Sequence, residues 1–132
     1  MTVLVGFVPT ALGEAALAAS VAEARRRHER LLVVNMSRDD VLVDARRAGG
    51  KQLDRVRRDL DELDLEFEFE VRQIAEGSDA AQVLLDVADR EEVSVIVIGL
   101  RHRTPVGKLL LGSAAQQILL DANCPVLAVK VA

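Results

Sequence analysis

The residues best suited to chemistry lie between Val93 and Ser113. Gly99 follows a β-branched run of Val93, Val95, Ile96, Val97 and Ile98, and Gly112-Ser113 stands where an apolar helix pattern begins. A run of that kind suits a strand covered on both faces, so it is expected to be a central parallel strand. Gly99 is then expected to end the strand and free the backbone to turn. Gly112 and Ser113 would offer backbone amides and a hydroxyl at a helix N-terminus, a setting that holds phosphate or ribose oxygens. Arg101, His102, Arg103 and Lys108 would add positive charge to the connecting loop, with Thr104-Pro105 stiffening it. The plain alternative is that Gly99 and Gly112 only end a strand and cap a helix, with the cations solvated.

The same stretch is similar to the C-terminal half of a universal stress protein domain, whose nucleotide-binding members carry G-x2-G-x9-G-[ST] between the fourth strand and the last helix. Gly99, Gly112 and Ser113 stand in register with three of those positions, and His102 stands at the second glycine. The closing helix, the Cys124-Pro125 turn and the last strand also resemble the family, and the likeness runs the length of the chain. Gly13-Glu14-Ala15-Ala16-Leu17 resembles the family's first helix. Counting back from it places Val8 where nucleotide-binding members hold adenine with an acidic residue. Valine cannot accept a hydrogen bond from an exocyclic amine. Asn35, at the end of the second strand, could donate and accept there, but an Asn in that position favours capping the following turn, which is the reading adopted. The resemblance thus implies nucleotide-binding positions at Val8, Asn35, Gly99, Arg101, His102, Gly112 and Ser113, and an adenine nucleotide such as ATP with Mg²⁺ as the cofactor. Val8 and His102 are the two departures that weaken the site.

Other reactive residue types read as structure. Glu66, Glu68 and Glu70 alternate with Phe67 and Phe69, giving an edge strand with one wet face rather than a metal cluster. His102 has no serine, cysteine or carboxylate spaced locally to make a nucleophile pair, and no catalytic residue is assigned. His28 sits among arginines at a solvated helix end. Cys124 reads as a small packing residue.

The elements that must position this site follow from hydropathy. Thr2 to Val8 and Leu31 to Met36 are short buried strands, and Leu12 to Arg30 is an amphipathic helix. Residues 38 to 50 read as an ordered loop or helical turn, and Lys51 to Leu63 as a surface helix. Leu65 to Val71 is the edge strand. Ala75 to Asp79 form a turn and cap before a helix with an inward stripe of Ala81, Leu84, Leu85 and Ala88. Val126 to Val131 is the final strand. Five strands alternating with four crossovers make a parallel three-layer α/β sandwich, and the resemblance implies the strand order 3-2-1-4-5.

The chain has 132 residues, half of them hydrophobic, enough for one domain spanning 1–132 and no second. Seventeen Lys and Arg against 21 Asp and Glu give a net charge of −4, and only three Phe with no Trp or Tyr are present. Neither nucleic acid nor an anionic membrane is an expected partner. A single cysteine, no bilayer-spanning apolar run and no signal-peptide pattern lead to the expectation of a soluble protein in the reducing cytoplasm. The segment Pro125 to Ala132 carries one charge, Lys130, and would leave an apolar sheet edge. A homodimer through this strand is therefore expected, as the resemblance also implies, with further protein partners unknown.

The favoured reading is a stress-response regulator acting through its dimer, not a catalyst, with adenine-nucleotide binding lost or weakened. The alternative is a nucleotide sensor of the same fold with slow phosphate-ester hydrolysis. A flavin or other cofactor carrier on a similar sheet is the third class.

Overall fold

A computed structural model describes residues 1–8, 10–38, 53–74, 79–101 and 112–131. Its elements run β1 (Thr2–Phe7), α1 (Ala11–Arg27), β2 (Arg30–Arg38), α2 (53–61), β3 (Phe67–Ile74), α3 (Ala80–Arg90), β4 (Val93–Arg101), α4 (Ser113–Asp121) and β5 (Val126–Val131). The five strands form one sheet in the order β3-β2-β1-β4-β5, and every neighbouring pair is parallel. This is the expected three-layer α/β architecture.

Alternation along the strands splits the core in two. Val3, Val5, Phe7, Leu31, Val33, Val95 and Val97 pack under α1 and α2 with Ala16, Leu17, Val56 and Leu60. Leu4, Leu32, Val34, Ile96 and Ile98 face α3 and α4, against Ala81, Leu84, Leu85, Ala88 and Ile118. A strand with apolar residues on both faces can only be central, which is why β1 and β4 occupy the middle. Each fully buried Val or Leu contributes about 1.5–3 kcal/mol relative to exposure.

Several boundaries differ from expectation, each for a local reason. β1 ends at Phe7, because the Val8 carbonyl turns to accept the Thr10 amide at 2.8 Å and Thr10 caps α1 through its hydroxyl, which accepts the Gly13 amide at 3.2 Å. α1 stops at Arg27, since His28 adopts a left-handed conformation with φ 55° and the Glu29 amide turns back to the Ala24 carbonyl at 3.0 Å. β2 runs on to Arg38, held by pairing with β3 as far as Arg38 opposite Ile74. The expected loop over 38–50 and the turn over 75–78 fall outside the described residues, apart from Arg38. Asp79 caps α3 as expected, accepting the Ala81 amide at 3.0 Å.

The edge strand β3 also fits its sequence. Phe67 and Phe69 pack partly buried against the α1–α2 core. Its carboxylates are not left to repel one another: Arg30 holds Glu68 at 2.8 Å and Arg72 holds Glu70 at 2.7 Å. The Arg57 guanidinium lies 5.0 Å from the centre of the Phe69 ring, a cation–π contact.

Candidate site at the ends of β1 and β4

Strand order reverses between β1 and β4, and open α/β sheets take ligands in the crevice outside the carboxyl ends of strands at such a point. A crevice of about 190 Å³ lies there, lined by Val8, Leu12, Ile98 and Gly99 on one side and by Ala114, Ala115 and Ile118 of α4 on the other. Hollows of about 270 and 300 Å³ lie at the opposite end of the sheet beside His28 and between α1 and α2. Both are larger, but neither meets the switch point.

Gly99 corrects the sequence reading. It does not end the strand: β4 continues through it to Arg101, and Gly99 pairs with Val129. Its lack of a side chain serves a close approach, because a Cβ there would stand 2.6 Å from the carbonyl oxygen of Leu12. Gly13 plays the same part on the other flank, where a Cβ would overlap the Val8 carbonyl oxygen. These two backbone contacts press the first turn of α1 onto β1 and β4, forming the floor of the crevice. Gly13 carried the signal in sequence only as part of a helix pattern.

Asn35 is the second correction. It is not a turn cap but an interior residue of β2, 5% exposed, and its side-chain amide donates to the Phe7 carbonyl at 3.0 Å. That bond satisfies the last carbonyl of β1, so Asn35 braces the strand end without lining the crevice. Val8 does line it, 40% exposed. No Asp or Glu occurs from Thr2 to Gly13.

Gly112 is the N-cap of α4 with φ −65° and ψ 160°, makes no side-chain capping bond, and has open space where a Cβ would be. Ser113, exposed, is the first helical residue. Arg101 ends β4, paired with Val131. His102, Arg103, Thr104, Pro105 and Lys108 lie outside the described residues. The Cys124 thiol is pushed up by partial burial and by Asp89, partly offset by the Ile96 amide, and packs beside the α3–α4 core. That environment suits packing and disfavours a thiolate. Among the described residues no group of three His, Cys, Asp or Glu could hold a metal, and no helix is long and apolar enough to cross a membrane.

Residues 1–130 match the profile of the universal stress protein family. The chain belongs to that family. It is 44% identical over 128 residues to a universal stress protein of Mycolicibacterium smegmatis, covering 97% of this chain and 96% of the relative. A universal stress protein of Archaeoglobus fulgidus superposes with a TM-score of 0.78 at 27% identity, covering 98% of each chain. Another structure from that organism, in complex with dAMP, shares the fold at 23% identity with a TM-score of 0.66, again over 98% of each chain.

Proposed function

We propose that this universal stress protein is a cytoplasmic stress-response regulator that works as a homodimer and binds adenine nucleotides weakly or not at all. The observation that carries this reading is the chemistry of the crevice: its described walls are Val8, Leu12, Ile98, Ala114 and Ile118 with backbone between them. The segment Thr2–Gly13 holds no carboxylate that could accept the adenine amine.

The dimer reading rests on β5. It is an edge strand, Leu127 is 37% exposed, and Lys130 is its one charged residue. Such an edge invites pairing with another chain. A Leu127→Lys substitution is expected to shift sedimentation at micromolar concentration from dimer to monomer. A wild-type monomer under those conditions would refute the dimer.

A second reading, an ATP- or adenine-nucleotide-binding sensor with slow hydrolysis, is favoured by the uncapped start of α4 at Gly112 and by the dAMP complex of the Archaeoglobus fulgidus relative. Calorimetric titration with ATP and Mg²⁺, and with dAMP, separates the two. Saturable binding tighter than about 1 mM, lost on Ser113→Asp, supports the sensor, whereas no heat and no thermal shift support the regulator.

A further inference from the structure

We infer that the crevice between α1, β4 and α4 binds a small, uncharged ring compound of about the size of indole. This rests on the reading above that adenine nucleotides bind this crevice weakly or not at all, and it names what the altered walls would accept. Among the described residues the lining side chains are alkyl: Val8, Leu12 and Ile98 face Ala114, Ala115 and Ile118. A charged or strongly hydrated group placed among them would lose its water without gaining a partner, whereas an apolar body loses nothing. These described walls therefore match a neutral ligand.

Size narrows the class further. At about 190 Å³ the crevice is smaller than the roughly 300–1,000 Å³ of sites for drug-sized molecules, so one ring system fills it. Its floor is built from main-chain contacts, Leu12 on Gly99 and Val8 on Gly13, which cannot repack as side chains do. A pre-formed wall of that kind lowers the ordering cost of binding a small ligand. Val8, 40% exposed, is the apolar surface that the ligand would cover.

Indole is the probe. Titrated into the wild-type chain and followed by methyl NMR, it is expected to shift Val8, Leu12, Ala114 and Ile118 together with one saturable constant of about 1 mM or tighter. Ala114→Phe places a ring in the crevice from an exposed helix position, so it should weaken indole at least tenfold while the thermal midpoint and circular dichroism stay close to wild type. Absence of saturation, shifts confined to other residues, or undiminished binding by the Ala114→Phe variant would each overturn the proposal. Should that variant misfold, Val8→Asp gives the same decision, since a carboxylate on the exposed rim should also weaken indole. AMP titrated in parallel addresses the preceding reading alone: its tight binding would defeat that reading, and the indole result would still decide this one.

Discussion

Replacing Gly99 by alanine tests whether that glycine serves a turn or a contact. Its Cβ would lie 2.6 Å from the Leu12 carbonyl oxygen and 3.2 Å from the carbonyl carbon. To reach ordinary contact the two must part by roughly 0.8 Å, and because the obstacle is backbone the relief is overpacking of about 2 kcal/mol. Alanine also restricts the unfolded chain, which returns about 0.7 kcal/mol, leaving a net loss of about 1–1.5 kcal/mol. For a chain of this length that lowers Tm by roughly 4–7 °C. The assay is thermal and urea unfolding at one fixed protein concentration, with the urea midpoint falling and the slope unchanged. Gly112→Ser is the control: the extended backbone there accepts any residue and the space is open, so a serine cap should raise stability by a few tenths of a kcal/mol. A Gly99→Ala protein as stable as wild type would refute the close-contact argument.

Other outcomes follow from single residues. Asn35→Ala leaves the Phe7 carbonyl without its side-chain donor in a buried setting and should cost about 1–3 kcal/mol in chemical denaturation. His28→Gly relieves a left-handed C-cap at φ 55° and should raise Tm by a few degrees, worth about 0.5–1 kcal/mol. Asp79→Ala removes the cap of α3 and should cost about 1 kcal/mol, read in the same unfolding assay. Glu23 is drawn from 4.5 down to about 2 by hydrogen bonds from Arg26 and then Arg27. A lowered folded pKa stabilises above the unfolded value and is lost as pH falls through the folded one, so Glu23→Gln should weaken the protein at pH 7, with the difference fading between pH 4.5 and 2 and shrinking in high salt.

The architecture was legible because its signals are local and repeated. The alternating Glu and Phe of β3 marked an edge, the continuous Val and Ile of β4 marked a centre, and the inward stripe of α3 fell on Ala81, Leu84, Leu85 and Ala88 as read. Gly99 was not legible in the same way. A glycine at the end of an apolar run reads as a turn, and only the tertiary approach of Leu12 shows that it is a strand residue kept bare for a neighbour. Asn35 failed for a related reason: a polar side chain near a strand end has a local partner in most chains, whereas here its partner is Phe7, 28 residues away. Of the residues singled out in the sequence, Val8 and Gly99 line the crevice, while Gly112 and Ser113 stand at the start of α4. It missed Gly13 and Leu12, which act through main-chain atoms and leave no mark in residue chemistry.

That main-chain seam between the first helix and the sheet has a consequence for how such a protein can diverge. Where the helix meets the sheet through carbonyl oxygen and bare Cα, the separation is set by atomic radii, and no exchange of the side chains above can shift that floor. Mutation at Val8 or Ala114 can reshape the upper walls of the cleft, but its floor stays in place unless one of the two glycines is given up.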